Sequence, residues 1–552
     1  MVENIINTTI MSVDIEQESA AKCLLDATKE FLLAPLTLTA EEMSSAILKM
    51  SRSIVSLHNA NLDKSQAALK WSMPSEISPQ QTALCMIKLN NAISLLYDET
   101  KDVIQDGDVD IAVYDEERGL YNTNPSAIDR VIYSYNPSFK ESDVKEVVRK
   151  IKAWAPVKTR NSDRDLIPVN NGIYNYKTKQ LLPFDPDMVF VTKSRTNYNP
   201  NAQNVVIHND EDGTDWDVES WMDDLTDDPE ITNLLWEITG ALLRPNVVWN
   251  KSAWLYSDKG ENGKGTLCAM WRNLCGSAAT SIPIASFSKQ FMLTSLITSQ
   301  AIIVDENDVG AFIEKAAELK AVITNDTIMI DRKFQHAISY RFRGFMVQCL
   351  NELPRFKDKS NSIYRRQLFI PMSKCFTGKA RRYIKDDYIN RPEVLEYVMK
   401  RVFEMDYYVL SEPEACKLVL EEYKTFNDPV RQFWTEFEEQ FTWDLLPNTF
   451  LYDLFKEWFK RDNPSGSIMG RNTFLKDLYN IIDACDSWSP TMEGTVQGKE
   501  RVGNRMDKTE TLIAKYNLEV WMTPGMNSKS AATVDAMCRP IIADRYKGLK
   551  RV

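Results

Sequence analysis

Glycine is scarce in this 552-residue chain, with 19 residues where the usual share of roughly 7% would give about twice as many. Three of them, Gly260, Gly263 and Gly265, nevertheless fall within six positions. Histidine is rarer still: His58, His208 and His336 lie far apart, and nine cysteines include no C-x-x-C pair. Neither a zinc site nor a disulfide framework is expected, and a reducing cytoplasm is the natural compartment. No apolar run approaches the roughly 18 residues of a membrane span. Around Glu3, Asp14 and Glu16 there is no basic stretch followed by a long apolar one, so no export signal is expected. Basic residues are in deficit, 66 Lys and Arg against 78 Asp and Glu, a net charge of -12. That excludes a chain coated in nucleic acid but leaves room for a local basic channel or terminal patch.

What remains is a globular mixture, 43% hydrophobic and 26% charged, long enough for three to four domains. Residues 1–105 read as helical. Thr39-x-x-Glu42 and Ser78-x-x-Gln81 form capping boxes, and Ile47, Met50, Ile54 and Leu57, then Leu84, Ile87, Leu89, Ile93 and Leu96, recur at helical spacing. Residues 106–228 turn to short β-prone runs with Asn, Asp and Pro turns, plus one helix near 142–154. Asp106, Asp108 and Asp110 read as a surface loop. The segment Asp210–Glu230 carries eleven carboxylates and no Lys or Arg. It predicts a solvated linker and a boundary before a helix opened by Asp228-Pro229-Glu230. A further helix start is expected at Ser411-x-x-Glu414 and a further boundary at Asn427-Asp428-Pro429.

The glycine cluster is the part that carries chemistry. Trp254-Leu255-Tyr256 is a short apolar strand leading into Ser257–Thr266, and helix-formers follow. Such a loop curls its amides toward phosphate oxygens at a helix N-terminus. Gly260, Glu261, Asn262, Gly263, Lys264, Gly265 and Thr266 are its candidate contacts, with Lys264 reaching the β- and γ-phosphates. Two positions depart from the pattern: Asp258 stands where the first glycine belongs, and Gly265 where a hydroxyl would hold Mg²⁺. Thr266 is the substitute. Ala301–Val304 then reads as a buried strand ending in Asp305, a metal carboxylate, and Glu306, which would orient the attacking water. Phe345–Leu350 is a second such strand, and Asn351 at its end would bond the γ-phosphate or its water. Arg365 and Arg366 precede a third strand, and one of them could reach a neighbouring subunit's nucleotide.

The order Asn262-Gly263-Lys264, Asp305-Glu306, Lys320 to Lys333, Asn351-Glu352-Leu353-Pro354 and Arg365-Arg366 resembles superfamily-three helicases of the phage, plasmid and poxvirus primase-helicase type. Ile167–Tyr174 and Tyr198–Ala202 resemble that family's domain preceding the ATPase. The resemblance covers roughly residues 106 to 400. It implies an AAA+-like core that binds ATP and Mg²⁺, a homo-hexameric ring translocating on DNA, and a β-hairpin projecting into the channel. Here Thr327–Ile330 and Ile338–Phe342 would be the hairpin strands, and Arg332, Lys333, Phe334 and His336 the contacts to single-stranded DNA.

Residues 429–552 show two apolar helical stripes, Leu451, Leu454, Phe455 and Trp458, then Phe474, Leu475, Leu478, Ile481 and Ile482. Lys499, Arg501 and Arg505 follow, then six Lys or Arg between Lys529 and Arg551. This pattern fits a winged helix gripping duplex DNA. The expected fold is therefore multidomain α/β: a helical region (1–105), a mixed α/β domain (106–228), the ATPase core (229–428) and a winged-helix-like domain with a basic tail (429–552). The expected function is an ATP-dependent replicative DNA helicase of a phage or mobile element, working beside other replication proteins and not at a membrane. An origin-binding initiator and a non-DNA AAA+ switch are the alternatives.

Overall fold

The computed structural model describes residues 2–14, 19–101, 104, 107–308, 312–333, 335–378, 381–462, 468–483, 485–493, 496–523, 538 and 543–552. It divides into two compact units, Met1–Asp358 with Arg365–Lys417, and Lys359–Tyr364 with Leu418–Val552. The later division therefore falls inside the helix Glu414–Asn427 rather than at Pro429, and a short piece expected within the ATPase belongs with the C-terminal unit.

The first unit begins with helices Val2–Ser12, Ala20–Phe31, Ala40–Asn61 and Pro79–Leu89. Both capping boxes form: the Thr39 and Ser78 hydroxyls accept from the Glu42 and Gln81 amides, and each partner side chain bonds back. Ile47, Met50 and Ile54 are buried as their spacing requires, whereas Leu57 points outward. The second run is not one helix. It stops at Leu89, Asn91 takes a left-handed φ of 47°, and Ile93–Leu96 becomes a strand, β1, buried at every position. A continuously apolar segment has no period by which to tell strand from helix.

β1 pairs antiparallel with β2 (Val109–Asp115) and parallel with Val157–Thr159. Helices Pro125–Tyr135 and Glu141–Trp154 pack on the N-terminal helices, so one core runs from Ile6 to Ala155. No break in it falls at residue 105. The expected boundary in the acidic run is absent as well. Between its carboxylates, Trp216, Val218, Trp221, Met222 and Leu225 are buried in a core that extends from Ile167 to Cys416. The acids face solvent while the interleaved apolar residues anchor the segment, including the short helix Val218–Asp224, to α1 (Pro229–Leu243).

At the centre of that core lies a parallel five-stranded sheet. β3 (Ser252–Tyr256) is followed by α2 (Lys264–Cys275), β4 (Ala279–Thr280), β5 (Ala301–Val304), the antiparallel hairpin β6 (Thr327–Ile330) and β7 (Ile338–Arg341), β8 (Phe345–Leu350) and β9 (Gln367–Pro371). The sheet order is β4-β5-β8-β3-β9. β3, β5 and β8 are almost wholly buried, as both-face covering by helices demands. α3 (Arg382–Asp386) and α4 (Pro392–Glu404) complete the layer beside α2.

The second unit holds the C-terminal part of α5 (Glu414–Asn427), then α6 (Pro429–Phe437), β10 (Leu445–Pro447), α7 (Asn448–Asp462), α8 (Arg471–Ile482), β11 (Trp488–Pro490) and β12 (Gly548–Arg551). Asp428 caps α6 by accepting from the Val430 amide at 3.0 Å. Ser411 bonds Glu237 instead of capping the helix at Glu414. The three strands form an antiparallel sheet in the order β10-β12-β11. Leu451, Leu454, Phe455, Trp458, Phe474, Leu478 and Ile482 are buried in its core, while Leu475 and Ile481 pack at its edge. Residues 463–467 and the start of the basic tail at Lys529 lie outside the described residues.

Candidate nucleotide-binding site

In a parallel sheet the crevice outside the carboxyl ends of the strands is the natural ligand site. Here β3, β5 and β8 each end in a motif read from the sequence, whereas Arg365 and Arg366 stand at the amino end of β9. The loop after β3 turns through two left-handed residues, Glu261 (φ 55°) and Gly263 (φ 81°). A β-carbon at Gly263 would come within 2.6 Å of Leu225, so glycine is required there both for conformation and for space. Asn262 is buried, donates to the Lys259 carbonyl at 2.6 Å, and braces the loop from inside. From the segment that follows β9, the Phe376 amide donates to the Glu261 carbonyl at 2.7 Å.

Lys264 opens α2 and is only 5% exposed. Its ammonium donates to the Leu350 carbonyl and to Asn351 Oδ1, each at 3.0 Å. Lys264 at the start of α2 and Asn351 just beyond β8 are therefore directly bonded. Burial pulls the Lys264 pKa below the ordinary lysine value. The charge of exposed Asp258 acts the other way, favouring the ammonium.

One face of α2 reaches across the sheet at four-residue spacing. Lys264 meets the end of β8, the Cys268 thiol lies 3.3 Å from that of Cys349, and Arg272 meets β5. Arg272 donates to the Ile303 carbonyl at 2.7 Å and to Asp305 at 3.1 Å. Burial raises the Asp305 pKa, but the Arg272 hydrogen bond and charge, together with the Lys385 charge, prevail and hold its carboxyl below the usual range. Glu306 is exposed at the same strand end. Asn307 pins the loop behind it by donating to Gln348 and the Cys349 carbonyl, each at 3.0 Å. Sequence reading passed over Arg272, although its i, i+4, i+8 relation to Lys264 and Cys268 was visible. Nothing in the sequence pointed to Asn307 or Lys385.

The other candidates are placed as follows. Gly260, Gly265 and Thr266 lie on the loop and first turn of α2. Arg365 is exposed immediately before β9; Arg366 is half-buried, and its carbonyl accepts from the Ser252 amide at 2.8 Å. Burial and then the Arg365 charge draw its guanidinium pKa down. Lys320 pairs with Asp358 at 2.7 Å.

The hairpin forms over the expected strands, but its tip is docked. The Arg332 side chain is 8% exposed and pairs with Asp110 at 2.5 Å, and Tyr97 donates to the same carboxylate at 2.9 Å. Ser339 bonds Asp98, and Arg343 pairs with Glu99 at 2.8 Å. Asp110, expected in a surface loop, stands on β2 because its strand neighbours Ile111 and Ala112 are core residues. Asp108 pairs with Lys101 instead of facing a metal, and Asp106 lies outside the described residues. Lys333 and His336 are exposed, and Phe334 also lies outside the described residues. Removing one partner of a buried pair strands the other charge, at about 3–5 kcal/mol. Asp110→Ala should therefore lower stability by about 3 kcal/mol, since Asp110 is itself 27% exposed. An unchanged denaturant midpoint would show the pair to be idle. In the second unit Lys499 and Arg501 are exposed.

Residues 92–239 match the family described as D5 N terminal like, and residues 426–514 the one described as poxvirus D5 protein-like. Two stretches of this chain are thus similar to families of the D5 type. Residues 255–366, from β3 to the arginine pair before β9, match a family of unknown function (DUF5906). No curated protein matches the sequence. Distant likenesses among solved structures include two of the NrS-1 C-terminal region. One is 14% identical over 77% of this chain and 98% of the other, with a TM-score of 0.40. The second is 12% identical over 76% and 98%, with a TM-score of 0.41. A JCV helicase structure with a bound ligand is 15% identical over 38% of this chain and 58% of that one, with a TM-score of 0.24. Among the described residues no helix is long and apolar enough to cross a membrane.

Proposed function

We propose that this chain is an ATP-driven replication helicase of phage or viral type, acting as a homo-hexameric ring on DNA. The observation that carries the reading is the bond between Lys264 and Asn351 at the carboxyl ends of β3 and β8. It joins two motifs 87 residues apart around one pocket for phosphate. Lys264 and the α2 N-terminus bind the β- and γ-phosphates, Asn351 orients the γ-phosphate or the attacking water, and Glu306 positions that water. The arginine of a neighbouring subunit stabilises the charge that develops.

The residues fit Mg²⁺ through Asp305 and, on the first turn of α2, Thr266. No group of three His, Cys, Asp or Glu side chains suited to a metal occurs among the described residues. The ion would arrive with the nucleotide and neutralise phosphate charge there. ATP turnover measured with and without forked DNA tests the proposal. Stimulation together with strand separation is expected, and turnover indifferent to DNA would favour a non-DNA switch instead.

The second unit supports duplex contact. α8 buries Phe474, Leu478 and Ile482 and exposes Arg471, Asn472, Thr473, Lys476 and Asn480 on its opposite face. Such a face can enter a major groove, with Lys499 and Arg501 gripping the backbone. In the full chain, Arg471→Ala with Lys476→Ala should weaken duplex binding and reduce the slope of log K against log salt by about 2. An unchanged slope would remove α8 from the interface. Strong preference for one duplex sequence would favour the origin-binding initiator.

A further inference from the structure

Gly265 directly follows the phosphate-loop lysine, at the position where a hydroxyl would serve Mg²⁺. The side of the loop that a side chain at 265 would face is approached by another residue at ordinary contact distance. A β-carbon added at Gly265 would lie 3.7 Å from the Lys385 ammonium. Lys385 lies on α3, far along the chain, and the turn that follows α3 is bonded both to it and to α2. The Lys385 carbonyl accepts from Asn390 at 3.0 Å, and Asn273 of α2 donates to Asn390 at 2.7 Å and to the Ile389 carbonyl at 3.1 Å. Beneath these, Ile384, Tyr388 and Ile389 are buried in the common core. Lys385 therefore stands over the first turn of α2 because its backbone is fixed there. Its charge also reaches the Asp305 carboxylate.

We infer that Lys385 is a second phosphate-binding cation, standing where other phosphate loops place the hydroxyl that serves the metal, so that nucleotide binding depends only in part on Mg²⁺. The inference rests on the nucleotide-site reading above. Lys264 approaches the phosphates from beneath the loop and Lys385 from the outer side of α2, so the two ammonium groups flank one anion. A glycine at 265 leaves the outer side open to a long side chain. A serine there would narrow the approach and restore an oxygen ligand. The loss of the hydroxyl and the presence of the lysine are then two halves of one arrangement.

The test is equilibrium binding of ATP to the full chain, read by displacement of a fluorescent ATP analogue, in EDTA and in excess Mg²⁺. The unmodified chain should bind in both. Lys385→Ala should lose roughly tenfold in EDTA, the effect of one charge-assisted hydrogen bond, and much less in Mg²⁺. Lys385→Arg should retain binding in EDTA. Gly265→Ser combined with Lys385→Ala should bind only with Mg²⁺. Equal affinity of Lys385→Ala and the unmodified chain in EDTA would overturn the inference, as would complete loss of binding by the unmodified chain in EDTA. Lys264→Ala separates the two levels. If it loses binding while Lys385→Ala does not, only the role of Lys385 fails. If Lys264→Ala binds normally, the phosphate-loop reading fails with it. Matching circular dichroism and thermal melting for each variant would show that a loss belongs to the site and not to the fold.

Discussion

Lys264→Ala is expected to abolish measurable ATP binding and to lower hydrolysis by at least about a hundredfold, the scale of losing a preorganised charge donor. The side chain is nearly inaccessible, and its ammonium is committed to the Leu350 carbonyl and Asn351. Its charge has been partly desolvated, as the downward shift of its pKa records, so its attraction for an arriving phosphate is stronger than that of a surface lysine. Truncation also leaves two acceptors without their donor, which costs about 1–3 kcal/mol of stability. Lys264→Met keeps the volume and isolates the loss of charge. Turnover unchanged in both variants would remove Lys264 from the chemistry. Glu306→Gln should give the complementary result, ATP bound but not hydrolysed, if exposed Glu306 has the water-orienting role proposed for it.

Arg365→Ala is expected to cost roughly 10³–10⁵ in hydrolysis rate, the range for an arginine supplied in trans. The two adjacent arginines differ in the structure. Arg366 is half-buried, with its backbone tied to Ser252 at the start of β3, which favours an anchoring role for it. Arg365 is exposed and available to a neighbour. Arg366→Ala should lower the melting temperature more than Arg365→Ala does, while Arg365→Ala should remove turnover from a well-folded chain. Mixing Arg365→Ala with Lys264→Ala subunits should restore basal turnover at interfaces that pair an intact loop with an intact arginine. Mixed assemblies shown to contain such interfaces, yet inactive, would count against the trans role. Full turnover by a verified monomer would count against it more directly.

The sequence by itself determined the local features whose physics is local. The capping boxes at Thr39 and Ser78, the hairpin strands, the apolar stripes of α7 and α8 and the loop around Gly263 all formed where the residues placed them, because each depends on neighbours within a few positions. Motif order was legible for the same reason, and the stretches that match D5-type families agree with the resemblance it suggested. Domain limits were not legible. The acidic run looked like a linker because charge dominates its composition, but five apolar residues between the acids decide where it packs. Only the tertiary structure joined Lys264 to Asn351, Arg272 to Asp305 and Lys385 to Gly265, pairs 87, 33 and 120 residues apart. It also turned Arg332 from an expected DNA contact into the partner of Asp110. A spacing in sequence specifies which residues can share a helix face. Which charges meet across a sheet depends on strand order and on the burial that forces each ion to find a partner.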